Sequence, residues 1–135
     1  MKITICGSSE FVEDMKKAAD YLSTKGHIVF LPEPLISETD YLKENTKEKL
    51  LEMKPVFTQN HFKKIENSDA ILIINHKRKG FEGYFGSNTL MEISVAFYLG
   101  KKIFILNPIQ EDLPHYEEIV GLNSIILNGD LTKIK

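Results

Sequence analysis

A single carboxylate in an otherwise uncharged helical stretch is the residue of this chain best suited to chemistry. Residues 80–102 read GFEGYFGSNTLMEISVAFYLGKK, and between Ser87 and Gly100 the only acidic or basic side chain is Glu92. Apolar Leu90, Met91, Ile93, Val95, Phe97 and Leu99 fall on nearly every face, a pattern that predicts a buried helix. A carboxylate is seldom taken out of water without a partner or a task. Lying about one turn past a glycine-spaced loop, Glu92 should face whatever that loop encloses. A second reading fits the same residues. Thr89-Leu-Met-Glu92 matches the S/T-x-x-E capping box, in which the glutamate returns to the backbone of the cap residue. A first-turn carboxylate held by backbone donors can still face a pocket, so the two readings share a geometry.

The elements that must position Glu92 follow from periodicity and breakers. Lys2–Cys6 (KITIC) predicts a strand that stops at Gly7-Ser8-Ser9, and Glu10–Thr24 has helical spacing with Phe11, Met15, Ala18, Ala19 and Leu22 as its apolar stripe. Lys25-Gly26 ends that helix, and His27–Leu31 predicts a second strand closed by Pro32 and Pro34. Leu35–Lys54 is polar with charges of both signs and reads as a short, mobile helical insertion. Pro55 suits a helix start, with Val56–Asn67 carrying Phe57, Phe62 and Ile65 inward. Ala70–Asn75 (AILIIN) is the continuous apolar run of a central parallel strand. His76–Gly86 is a loop, Ser87–Leu99 the helix of Glu92, and Lys102–Leu106 a fourth strand. Pro114–Val120 suits a short helix and Ser124–Leu127 a fifth, edge strand. Strands alternating with helices predict an α/β fold: one domain over residues 1–135, flavodoxin-like and Rossmannoid, with a doubly wound five-stranded parallel sheet. Such sheets bind ligands beyond the carboxyl ends of their strands. That rule selects Gly7-Ser8-Ser9, Pro32–Leu35, His76–Gly86 and Asn107-Pro108, although each is also an ordinary set of turn residues.

Composition narrows the chemistry. A net charge of −2 gives no electrostatic case for a nucleic acid polymer or an anionic membrane. The lone cysteine, Cys6, excludes an intrachain disulfide and a Cys-rich zinc site, and it reads as a small buried hydrophobe. The start MKITICGSSE turns polar too soon for a signal peptide, which places the expected location in the cytoplasm. There is no GxGxxG, no GxxxxGK[ST] and no GxSxG. His27, His61, His76 and His115 are scattered without HExxH spacing, so neither a metal nor a cofactor is expected. Gly7-Ser8-Ser9 can still offer backbone and hydroxyl donors to an anion at a helix start.

With strand one ending in a small-residue turn, NSDAILIIN (67–75) and GYFGSNTLMEISVAFYLGKKIFILNP (83–108) resemble the nucleoside 2-deoxyribosyltransferase-like family. That family includes the deoxyribosyltransferases and the 2-deoxynucleoside 5-monophosphate N-hydrolases. The resemblance spans nearly all of the chain except Leu35–Lys54 and is closest to a compact prokaryotic branch. It implies that Glu92 attacks C1 of the sugar, that the base departs, and that water or a second base resolves the glycosyl ester. Gly83, Gly86, Ser87, Asn88 and Asn107, with Gly7, Ser8, Ser9 and Tyr84, would then hold the nucleoside or nucleotide. His61 falls by spacing where the transferases carry an aspartate proton donor; it is either an acid for the leaving base or a surface histidine. A further loop aspartate of the transferases finds no counterpart other than Glu82, and Asp69 reads as structural. Lys77, Arg78 and Lys79 form either a phosphate clamp or a solvated loop, and Tyr84 and Phe85 either stack on a base or pin the loop. The resemblance also implies a homodimer or higher homo-oligomer, with the neighbour's region around Asn123, Asn128 and Asp130 closing the pocket. Two other readings stay open: a catalytically silent nucleotide-binding sensor or partner-binding module, and an NAD glycohydrolase.

Overall fold

A computed structural model describes all residues, Met1–Lys135. Its strands are β1 (Lys2–Gly7), β2 (Ile28–Phe30), β3 (Ala70–Ile74), β4 (Lys102–Ile105) and β5 (Ile125–Ile126). All pair in parallel, in the order β2-β1-β3-β4-β5. This is the doubly wound, flavodoxin-like order, and its switch point lies between β1 and β3. The register sets Cys6 beside Ile73 and Gly7 beside Ile74, so the carboxyl ends of the two central strands are level.

Alternation along the strands divides the core in two. Ile3, Ile5, Leu72 and Ile74 face helix α1 (Val12–Thr24), whose Met15, Ala18, Ala19 and Leu22 are buried as the spacing predicts. Cys6, Ile71, Ile73 and Ile105 face the opposite layer. That layer contains α3 (Lys47–Glu66), α4 (Ser87–Tyr98) and α5 (Tyr116–Val120), which contribute Ile65, Ile93, Ala96 and Ile119. A helix α2 (Glu38–Glu44) precedes α3. No helix is long and apolar enough to cross a membrane.

Two elements differ from the sequence reading. Helix α3 does not start at Pro55. It starts at Lys47, where Thr46 Oγ1 accepts from Lys49 N at 3.0 Å, and it runs through Pro55. Lys47–Lys54 is therefore not part of a separate insertion but the opening of a twenty-residue helix. Helix α4 is not buried all round either. Thr89, Ile93 and Ala96 face inward, while Met91 and Phe97 are each 42% and Tyr98 88% exposed.

Candidate active site

The turn after β1 begins at Gly7, whose φ is +147° and whose position leaves no room for a Cβ: one would lie 2.6 Å from the Ile74 carbonyl oxygen. Only glycine lets β1 end so close to β3. Ser8 then caps a 3-10 turn (Ser9–Phe11), its Oγ accepting from Glu10 N. Ser9 Oγ accepts from Glu38 N at 3.0 Å, and Glu10 Oε1 accepts from Thr39 Oγ1 at 3.0 Å. These bonds fasten α2 across the carboxyl end of the sheet. Lys64 Nζ, donating to Leu31 O and Glu33 Oε1, ties α3 to the loop after β2.

The result is a cleft of about 340 Å³ bounded by the β1 turn, the loop after β2, α2, α3, the loop after β3 and the start of α4. This volume lies within the range of small-molecule sites. Gly7, Ser8, Ser9, Tyr84, Gly86, Ser87 and Asn88 line it, together with His61 and Glu92. Gly83 and Asn107 do not. Gly83, at φ +67°, packs its Cα face against the Pro108–Ile109 backbone. Asn107 is bonded reciprocally to Asn75: its N–H donates to Asn75 Oδ1, its Nδ2 donates to Asn75 O, and Asn75 Nδ2 donates to Asn107 O. That clasp joins the ends of β3 and β4 and engages the Asn107 amide nitrogen. Asn123, Asn128 and Asp130, expected to reach a neighbour's pocket, lie off this chain's own cleft, and Asp130 caps a 3-10 turn through Thr132 N.

Glu92 stands in the second turn of α4. The helix begins at Ser87 with Gly86 as its N-cap, so Thr89 is not the cap and the capping-box reading fails. Thr89 Oγ1 is buried without a partner instead. The Glu92 side chain is only 14% exposed, and its Oε2 lies 3.1 Å from His61 Nε2. Burial pushes the Glu92 carboxyl up to about 8, with the charge of Lys54 opposing the rise. His61 is not a surface histidine: its side chain is 7% exposed, and burial, aided by the Lys64 charge, holds it down at about 4. The imidazole is thus neutral at neutral pH. When Glu92 is protonated its hydroxyl donates to Nε2; when it is ionised it accepts from an Nε2–H. His61 Nε2 is also 3.4 Å from Cys6 Sγ, whose thiol is raised by burial and by the nearby Glu92 charge.

The basic triplet divides. Lys77 pairs with Glu82 in solvent, whereas Arg78 and Lys79 line the cleft with their charges over the Tyr84 ring at 5.5 and 5.7 Å. Arg78 Nη1 also donates to Ser8 Oγ at 3.4 Å. Sequence reasoning missed the far wall. Tyr41 and Phe57, in edge-to-face contact at 6.2 Å, line the cleft along with Lys54. In the sequence, Tyr41 and Lys54 fall in a polar insertion next to a predicted pocket, and Phe57 reads as an inward residue of the following helix.

A parallel sheet of this order, with a buried carboxylate at its carboxyl edge, defines a flavodoxin-like α/β domain with a small-molecule cleft. Two solved structures share that fold. One is a 2-deoxyribosyltransferase from the psychrotolerant bacterium Bacillus psychrosaccharolyticus, 19% identical, matched over 98% of this chain and 95% of that one with a TM-score of 0.65. The other is a CMP N-glycosidase from Clostridium botulinum, 15% identical, matched over 95% of this chain and 89% of that one with a TM-score of 0.53. The sequence matches no protein-family model and no curated protein.

Proposed function

We propose that the chain belongs with the nucleoside 2-deoxyribosyltransferase-like proteins and cleaves the N-glycosidic bond of a nucleoside or nucleoside 5-monophosphate. The observation that carries this reading is Glu92, a nearly buried carboxylate on the wall of a cleft of nucleoside size. The fold shared with a deoxyribosyltransferase and a CMP N-glycosidase supports it. A Glu92 oxygen attacks C1 of the sugar while the C1–N bond breaks, its electron pair leaving with the base, which takes up a proton from solvent. Water or an acceptor base then attacks C1, gives a proton back to solvent and frees the carboxylate. A covalent ester divides one difficult displacement into two easier ones.

The short His61–Glu92 separation favours a different part for His61 from the expected acid. A nucleophile and a leaving base lie on opposite faces of C1, and in retaining glycosidases the two catalytic groups stand about 5–5.5 Å apart. His61 at 3.1 Å is on Glu92's own side. It is a positioning residue whose Nε2–H holds the ionised carboxylate in line. Ser8, Ser9, Arg78 and Lys79 supply donors for a 5-phosphate, and Tyr84 a face for a base. The apolar strip of Met91, Phe97 and Tyr98 suits a second copy of the chain, and Met91 links that strip to the cleft.

The test is base release measured by chromatography. Deoxy- and ribonucleosides, their 5-monophosphates and NAD are each incubated with wild type and with Glu92→Ala. Free base from a nucleoside or its monophosphate, lost by a factor of about 1000 or more in the variant, is expected. Nicotinamide as the sole product would favour NAD cleavage. Tight nucleotide binding without any release would favour a sensor.

A further inference from the structure

Three residues far apart in sequence meet at the base of the cleft. Cys6 comes from β1, His61 from α3 and Glu92 from α4, and their ligand-capable atoms all lie within 4.8 Å of one another. No other three His, Cys, Asp or Glu side chains converge in this way. We propose that Cys6, His61 and Glu92 form a binding site for a thiophilic divalent cation of the zinc type, and that its occupancy switches off the glycosyl chemistry.

The distances carry the argument. Zinc bound at about 2.3 Å to sulfur and about 2.0–2.1 Å to nitrogen or oxygen has tetrahedral edges of about 3.3–3.6 Å. The Cys6 Sγ–His61 Nε2 and His61 Nε2–Glu92 Oε2 separations are 3.4 and 3.1 Å, and the third edge, Cys6 to Glu92, lies within 4.8 Å, so the ion is seated by a rotation of the Glu92 carboxylate toward Cys6. Thiolate, imidazole and carboxylate are the ligands zinc prefers, and a hard cation such as magnesium gains little from sulfur. Charge balances as well. Binding expels the thiol proton and the carboxyl proton to solvent, and one thiolate plus one carboxylate neutralise a divalent ion. A neutral assembly is the form that burial tolerates. Cys6 is fully buried in a central strand, and His61 and Glu92 sit in helices packed on it, so the ligands are held rigidly. The cleft side, lined by His61 and Glu92, keeps a fourth position open. His61 Nδ1 has no partner, whereas ligating histidines usually donate their second N–H to a support worth about 10–100-fold in affinity. Micromolar rather than nanomolar binding is therefore expected.

The switch-off rests on Glu92 being the nucleophile, since a coordinated carboxylate oxygen no longer attacks C1; the site itself does not rest on that reading. The experiment has a binding arm and an activity arm. Zn²⁺ and Mg²⁺ are titrated by calorimetry into metal-free wild type, Cys6→Ala and Cys6→Ser, each checked for folding by its melting curve. Co²⁺ is added to wild type as a spectroscopic stand-in that requires no variant. One equivalent of zinc, affinity at least tenfold weaker in the folded Cys6 variants, no magnesium binding, and a near-ultraviolet thiolate-to-cobalt band are expected. Absence of the cobalt band, or zinc binding equally well to a folded Cys6 variant, overturns the site. In the activity arm, zinc should suppress base release by wild type at the concentration that fills the site, and should suppress a Cys6 variant, relative to its own zinc-free rate, only at tenfold higher concentration. Base release unchanged by a filled site overturns the switch-off. A wild type without base release on any compound counts against the proposed function alone, because the binding arm still decides the site.

Discussion

At the scale of single residues, the Glu92–His61 pair makes opposite demands on the native state. Glu92 is raised from 4.5 to about 8, so between those values the folded chain holds a proton that the unfolded chain has lost. Its contribution to stability is complete below the lower value and is lost as pH rises through the upper one. His61 is lowered from 6.5 to about 4, so its contribution is complete above 6.5 and lost as pH falls through about 4. Glu92→Gln should therefore melt at nearly the same temperature as wild type near pH 4, and progressively higher than wild type as pH rises toward about 8. An advantage that shrinks with pH would refute the raised carboxyl. The rate separates the two parts offered to His61. If the histidine only positions Glu92, base release rises with pH through about 8 as the carboxylate forms. If it also gave a proton to the base, the reactive pair would be His⁺/Glu⁻, which carries the same number of protons as neutral His/Glu–H, and the rate would fall above about 8. We expect the rise, together with a loss of about 100-fold in His61→Ala. Glu92 was legible in the sequence as an isolated acid in an apolar helix. His61 is reached only through the resemblance, and Cys6 reads as a core hydrophobe: the two are 55 residues apart, and no local pattern marks a contact made by packing α3 on β1.

At the scale of elements, the sheet and α1 were legible because strand alternation and a helical stripe are local signals. Helix α3 was not. Proline is favoured in the first turn of helices, so Pro55 invited a start there. The actual cap, Thr46, lies among polar residues that lack an apolar stripe. A proline inside a helix removes a backbone hydrogen bond and costs about 3 kcal/mol or more where the chain cannot relax. Pro55 is exposed and α3 is unbroken across it. Pro55→Ala should thus raise stability by about 1–3 kcal/mol, measured by urea titration. A drop would mean that the proline sets a bend on which the packing of Phe57 and His61 depends. The Ser9–Glu38 and Glu10–Thr39 bonds link α2 to the β1 turn; Ser9→Ala should weaken ligand binding more than global stability, by a few-fold in Kd.

At the scale of the whole molecule, α4 joins the chemistry to a surface. The helix that carries Glu92 inward presents Met91, Phe97 and Tyr98 outward, and Leu51 and Val56 of α3 are exposed as well. The apolar composition of α4 predicts full burial, but only one face is covered. The helix has two faces, one packed on the core and one exposed, and the exposed face is the one proposed to meet a second copy. Large contiguous apolar patches mark association sites. Tyr98→Glu should convert the expected homo-oligomer to monomer in size-exclusion chromatography with light scattering, without lowering the melting temperature of the isolated fold. A wild type that is monomeric at all concentrations would contradict this.

If Glu92 attacks the sugar, a slowed glycosyl ester should be trapped on it. A nucleoside bearing a 2-deoxy-2-fluoro-arabinosyl group, whose fluorine slows breakdown of the ester, is incubated with the protein, and the digest is read by mass spectrometry. About one equivalent of released base and a fluorosugar on the peptide containing Glu92 are expected. Repeated turnover of a natural substrate in Glu92→Gln, or an adduct on any other residue, would contradict attack by Glu92.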